Sequence, residues 1–220
     1  MTENTIYTLL SKLRILLRQN LPGADAHILM APPARVELFE NGNKTPDNAR
    51  KAAVMIPLYF KAGELHTVFI KRPEYDGVHS GQIAFPGGKM ETFDRNLTET
   101  AIRETKEEIG IQPKDVYVLG SLSQLYIPPS NFLIEPVVAY VAKRPDFVLQ
   151  EEEVQAIIEV PVSCFYPEIQ KEYIEINSGY STSFTTPCFK VKDIVIWGAT
   201  AMVISEFINI AKELNLDELK

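Results

Sequence analysis

The chain has 220 residues, a net charge of -7 and 45% hydrophobic residues. That length buries a full core without a disulfide or metal staple, and the composition excludes disordered and collagen-like classes. The acidic balance argues against a nucleic-acid polymer as partner, which would want a basic face. A polyanionic small molecule stays compatible where divalent cations stand between the charges.

From the N-terminus, Ile6, Leu9, Leu10, Leu13, Leu16 and Leu17 form one helical stripe over residues 5–20, and Leu21-Pro22-Gly23 ends it. This predicts a packing helix. The stretch from Ala31 to Arg50 is rich in Pro, Asn and Gly and reads as loop. Residues 1–50 are thus expected to form an extension packed on a domain spanning 51–220. AAVMIPLYF (52–60) and HTVFIKR (66–72) read as strands around the hairpin turn Lys61-Ala62-Gly63-Glu64. Further strands are predicted at 116–127 and 132–142, flanking Pro128-Pro129-Ser130-Asn131, and at 172–177 and 182–190. Helices are predicted over about 95–109 and 198–214. The mixed order implies an α+β fold, a mixed sheet between helices.

Cys164 and Cys188 form no CxxC pair and lie far in sequence from His27, His66 and His79. They read as reduced thiols, not zinc ligands. The segment MTENTIY lacks a basic n-region, and runs such as IVIWGATAMVI are too short to span a bilayer. No membrane partner and a cytoplasmic location are expected; oligomeric state is left open.

The chemistry is concentrated in SGQIAFPGGKMETFDRNLTETAIRETKEEIGI, residues 80–111. Phe85-Pro86-Gly87-Gly88 breaks the backbone for a tight loop. Asp94 or Asn96 can cap the following helix, with Glu99 in capping-box spacing from Asn96, and Gly110 stops it. Leu97, Ala101, Ile102, Thr105 and Ile109 share one face. Glu104, Glu107 and Glu108, spaced i, i+3, i+4, fill a neighbouring arc of roughly 100°. Like charges so placed disfavour a helix unless a cation joins them. Hard divalent ions such as Mg²⁺ take such oxygen ligands and bridge to phosphates.

This segment resembles the Nudix box, Gly-x5-Glu-x7-Arg-Glu-U-x-Glu-Glu-x-Gly-U, with U apolar. The chain has Gly88, then Asp94, then Arg103-Glu104-Thr105-Lys106-Glu107-Glu108-Ile109-Gly110-Ile111. Asp94 replaces the first Glu, one extra residue precedes Arg103, and Thr105 takes an apolar position. The first two departures and Thr100-Ala101-Ile102-Arg103-Glu104 are similar to the coenzyme A pyrophosphatase subgroup. The likeness extends through Pro128 to Phe132, Glu153-Val154 before Val160-Pro161, and Trp197 to Ala201. Upstream, Arg72, Gly81 and Phe85 to Gly88 match that subgroup, whereas Pro73 and Gly77 depart from it; Gly77 stands where an arginine is usual.

The resemblance implies a Nudix-like α/β/α sandwich with a mixed sheet. It implies metal-dependent hydrolysis of a diphosphate bond in coenzyme A or acyl-CoA, giving 3',5'-ADP and the (acyl-)phosphopantetheine. NADH, ADP-ribose and nucleoside triphosphates are the alternative substrates, and a non-catalytic nucleotide-binding module is a third reading. Mg²⁺ or Mn²⁺ would be held by Glu104, Glu107, Glu108 and the Gly88 carbonyl. Arg103 would orient a carboxylate through bidentate contacts. Glu108 and Glu153 are both candidates for the general base. Lys71, Arg72, His79 and Lys89 would meet substrate phosphates.

Overall fold

The computed structural model describes residues 2–42, 44–73, 81–166, 172–177 and 183–214. Three helices precede the sheet: α1 (Glu3–Leu16), α2 (Ala24–His27) and α3 (Pro33–Glu40). The strands β1 (Arg50–Lys61), β2 (Glu64–Lys71), β3 (Ile83–Ala84) and β4 (Gly87–Lys89) lead into α4 (Leu97–Ile109). Then come β5 (Val116–Ser121), β6 (Leu125–Ile127), β7 (Phe132–Val141), β8 (Ala156–Pro161), β9 (Glu172–Asn177), β10 (Ser183–Val191), β11 (Ile194–Trp197) and α5 (Gly198–Ala211).

β1 organises the main sheet. It runs parallel to β7 from Arg50↔Phe132 to Leu58↔Tyr140, and antiparallel to β2 and β4. The β1–β2 turn places Ala62 and Gly63 at φ 52° and 82°, the left-handed pair that a tight hairpin matched to strand twist requires. β8 and β3 pair with β2, and β5 and β6 with β7; β9, β10 and β11 form a separate antiparallel sheet.

Side-chain alternation sorts the core into layers. Ala53 and Met55 of β1, with Val137 and Ala139 of β7, pack against Ala101 of α4. Ile56 and Leu58, with Val138 and Tyr140, turn the other way and join Leu13, Leu16 and Leu17 of the N-terminal segment and residues of α5. A mixed sheet thus lies between helical layers, an α+β sandwich. Among the described residues no helix is long and apolar enough to cross a membrane.

The N-terminal segment belongs to this core. Gly120 permits the approach: a Cβ there would lie 2.9 Å from Leu17 Cβ. A second tie is buried. His27 Nε2 meets Glu206 Oε2 of α5 at 2.8 Å, while Glu206 Oε1 accepts from Gly23 N and Ser123 N. Burial pushes the Glu206 carboxyl up, but the hydrogen bonds from His27 and Ser123 outweigh it and hold the group below its usual range.

Four expectations are corrected. The stretch Ala31 to Arg50 is not all loop, because Pro33 starts α3 at the one helical position where proline fits without losing a hydrogen bond. The predicted strand 116–127 is two strands: its pairing with β7 shifts register between Val118 and Gly120, and Leu122 N bonds Pro136 O in the gap before β6. β8 and β11 were not predicted as strands. The helix expected over 198–214 leaves α-geometry after Ala211 for a 3-10 turn.

Candidate active site

The helix carrying the glutamates is well bounded. Asn96, not Asp94, is the cap: its Oδ1 accepts from Glu99 N at 2.9 Å. Glu99 returns its carboxylate to Arg95 N at 3.0 Å, one residue before the cap. Gly110, at φ 78°, ends the helix in left-handed geometry. With Ala101, Thr105 and Ile109 turned to the sheet, the acidic arc runs from solvent inward. The Glu107 side chain is 54% exposed, that of Glu104 13%, and Glu108 is buried.

Glu104 and Glu108 reach the Gly87–Gly88 segment of β4, where the absence of side chains makes room. A Cβ on Gly88 would stand 2.5 Å from Glu104 Cδ, and one on Gly87 would stand 2.3 Å from the Ala53 carbonyl oxygen. Gly87 N donates to Glu108 Oε2 at 2.7 Å. Burial pushes the Glu108 carboxyl up to about 8, against the lowering effects of that hydrogen bond and of the nearby Arg72 charge. Glu104 is raised as well, by burial first and by the charges of Glu107 and Glu153.

Arg103 organises the flank of this group. Its Nε and Nη2 fork onto Asp94 Oδ1 and Oδ2 at 3.0 and 2.9 Å. Nη1 donates to Glu104 Oε1 at 2.7 Å and Glu107 Oε2 at 3.0 Å, and Nη2 also meets the Lys89 carbonyl at 3.0 Å. All five guanidinium donors are engaged, a set lysine cannot reproduce. The Arg103 hydrogen bonds hold the Asp94 carboxyl at about 2 against the raising effect of burial. The bidentate partner is therefore Asp94, with single bonds to Glu104 and Glu107.

A cleft of 330 Å³ opens beside these residues. Six of the sequence-selected residues line it: Arg72, Gly88, Lys89, Glu104, Glu108 and Glu153. Glu153 arrives on the loop before β8, which Gln155 N pins to the Lys71 carbonyl at 2.8 Å. Its neighbours Glu151 and Glu152 are exposed and outside the cleft. Glu107 stays at the outer rim, gripped by Arg103. Lys71, the last residue of β2, does not line the cleft, whereas Arg72 just beyond it does. His79 and Gly77 lie outside the described residues.

Sequence reasoning did not assign roles to Gln82, to Thr200 or to the apolar wall. Thr200 Oγ1 donates to the Ile83 carbonyl at 3.0 Å and fixes the start of α5 beside β3. Leu125, Ile127, Phe132, Ile134, Ala199 and Val203 give the same cleft an apolar wall. Only the quoted stretches Pro128 to Phe132 and Trp197 to Ala201 pointed toward it.

The donor set suits a hard divalent cation: carboxylate oxygens, raised by burial and mutual repulsion, around a glycine-only recess. Among the described residues no three Asp, Glu, His or Cys side chains are already gathered as one coordination sphere. Arg103 and the Gly87 N–H hold Glu104 and Glu108 in other hydrogen bonds.

The NUDIX domain profile matches residues 49–171. A protein named Nudix hydrolase NudL from Yersinia enterocolitica is 32% identical over 169 residues, covering 77% of this chain and 84% of that one. Its counterpart from Pectobacterium atrosepticum is 33% identical over 168 residues, covering 71% and 80%. Among solved structures, a MutT/nudix family protein from Enterococcus faecalis aligns at TM-score 0.47 and 15% identity, covering 88% of this chain and 76% of that one. With the domain match spanning more than half of the sequence and the relatives aligned over most of their length, the chain belongs to the Nudix family and is a hydrolase acting on acid anhydrides.

Proposed function

We propose that the chain hydrolyses the diphosphate bond of coenzyme A or acyl-CoA, releasing 3',5'-ADP and the (acyl-)phosphopantetheine. The observation that carries this reading is the mixed lining of the cleft. Glu104, Glu108 and Glu153 with Arg72 and Lys89 share it with the apolar Leu125, Ile127, Phe132, Ile134, Ala199 and Val203. A nucleotide diphosphate with a long, weakly polar second half suits both kinds of lining. The nicotinamide riboside of NADH and the ribose of ADP-ribose offer the wall less to bury.

Glu104, Glu107, Glu108 and the Gly88 carbonyl would hold Mg²⁺ or Mn²⁺, which polarises a phosphoryl oxygen and acidifies water. Arg72 and Lys89 would pair with diphosphate oxygens, arginine as a fork and lysine as a point charge. Arg103 keeps Glu104 and Glu107 from drifting apart. Glu108 Oε2 already accepts from Gly87 N, whereas Glu153 is exposed on the cleft margin where water arrives. We therefore assign proton acceptance from the attacking water to the Glu153 carboxylate. A binding module without turnover would have no reason to keep three mutually repelling carboxylates at the cleft.

The test is kcat/KM for coenzyme A, dephospho-CoA, NADH and ADP-ribose in one buffer, with and without chelator. A tenfold preference for coenzyme A over dephospho-CoA, about 1.4 kcal/mol, marks recognition of the 3'-phosphate. Faster turnover of NADH or ADP-ribose would reject the coenzyme A assignment and leave diphosphate hydrolysis standing. Full activity in chelator would reject the metal role.

A further inference from the structure

Helix α3 buries a charged residue beside its apolar ones. Its one fully buried residue is Arg35, while Val36 and Phe39 are only partly covered by the core. Arg35 is 7% exposed, and its Nε, Nη1 and Nη2 have no hydrogen-bond partner among the described residues. The guanidinium carbon lies 4.9 Å from the centre of the Phe39 ring. A cation–π contact offsets part of the desolvation but satisfies no N–H. Burial lowers the Arg35 pKa from its ordinary value, yet a guanidinium does not neutralise in a protein. The contrast with Arg103 is direct, because there the same five donors all have acceptors.

A buried cation without a partner is among the costliest arrangements a fold can hold. The group that would complete it is defined by chemistry: negatively charged, rich in acceptors, and matched to a planar fork. We propose that Arg35 anchors a binding site for a phosphate-type oxyanion, beside Phe39 and separate from the diphosphate cleft. The site is built by the segment that precedes the NUDIX match, and Arg35 does not line the cleft. Admitting the ion requires α3 to move; the helix has no side-chain cap at Pro32 and is followed by Gly42 at φ 86°. The proposal does not depend on the metal-dependent reading.

The experiment is thermal unfolding of the full chain with chelator present, titrating inorganic phosphate against chloride at matched ionic strength. The wild type is expected to melt about 3–6 °C higher at ten times the dissociation constant. Arg35→Met, similar in length and uncharged, is expected to lose this rise, and to melt higher than wild type without phosphate because the orphaned charge is gone. Arg35→Gln provides the same comparison should the methionine variant fail to fold. A wild type that responds no more to phosphate than to chloride overturns the proposal. So does an equal phosphate response in the folded Arg35 variants, which would place the ion in the cleft. Kinetics identify the source of the phosphate: competition with substrate marks a phosphate carried by the substrate, and a non-competitive effect marks the free ion, both requiring Arg35.

Discussion

Gly88→Ala is the sharpest available perturbation of the cleft, because the structure separates its catalytic cost from any folding cost. The added Cβ would stand 2.5 Å from Glu104 Cδ and 2.6 Å from its Oε2, where an ordinary contact begins near 3.4 Å. The carboxylate must therefore retreat by about 1 Å, and displacement on that scale costs on the order of 100-fold in rate. That corresponds to about 2.7 kcal/mol of transition-state stabilisation. The atoms displaced belong to the end of a side chain, and Gly88 is not among the positive-φ residues. The backbone accepts alanine, and the loss of glycine's freedom in the unfolded chain stabilises by roughly 0.4–1 kcal/mol. The expected result is an unchanged or slightly raised melting temperature with kcat down about 100-fold, read by single-substrate kinetics and thermal unfolding on one sample. Gly87→Ala is the control. Its Cβ would meet the Ala53 oxygen at 2.3 Å and Val54 Cα at 2.6 Å, main-chain atoms of the paired strand, so that variant should lose stability outright. A Gly88→Ala enzyme with wild-type kcat and kcat/KM would refute the reasoning, since Glu104 would then not need its place.

Arg103→Lys keeps the charge but replaces five engaged donors by three without the fork, so turnover should fall at least about tenfold; intact turnover would reduce Arg103 to a surface ion pair worth about 0–1 kcal/mol. Thr105 is fully buried on α4 with no hydrogen-bond partner for Oγ1 among the described residues. Thr105→Val, equal in shape, should therefore raise stability by about 1 kcal/mol in urea unfolding, and a loss instead would mean the hydroxyl has a partner. Asp94 titrates at about 2 in the fold against 3.8 ordinarily, so its contribution is complete above about pH 4 and vanishes as pH falls through 2. The stability gap between wild type and Asp94→Asn should accordingly be widest above pH 4 and close toward pH 2; a gap that is constant with pH would show that the ion pair with Arg103 contributes nothing.

What the sequence made legible was periodic or local. The leucines of α1, the apolar runs of β1 and β2, the Asn96–Glu99 cap and the Glu104/Glu108 spacing all depend on near neighbours. α3 escaped notice because its buried residue is an arginine, so it shows no apolar stripe. β8 and β11 are short, and their apolar runs do not distinguish strand from helix. The break between β5 and β6 follows from pairing with β7, which neither segment encodes by itself. At the site, Arg72, Gly88, Lys89, Glu104, Glu108 and Glu153 were nameable from motif and charge. Lys71 was equally nameable by charge, and only the fold shows that it does not line the cleft. The apolar wall was not nameable because it is assembled from β6, β7 and α5, segments up to about 80 residues apart along the chain, and only the fold brings them together.

The packing of α1 against α5 has a consequence for biosynthesis. α1 is synthesised long before α5, yet its leucines share a core with Met202, Val203 and Phe207 of that helix, and Lys12 bonds the carbonyl of Glu213. β1 likewise waits for β7, and β2 for β8. Pairings of such sequence separation are slow to close. Until α5 has emerged, the apolar stripe of α1 lacks that partner, and until β7 has emerged one edge of β1 is open, the state in which nascent chains stick to one another. Folding is therefore expected to complete only once α5 has been synthesised. Slowing elongation should not rescue a destabilised variant, whereas lowering its expression level should.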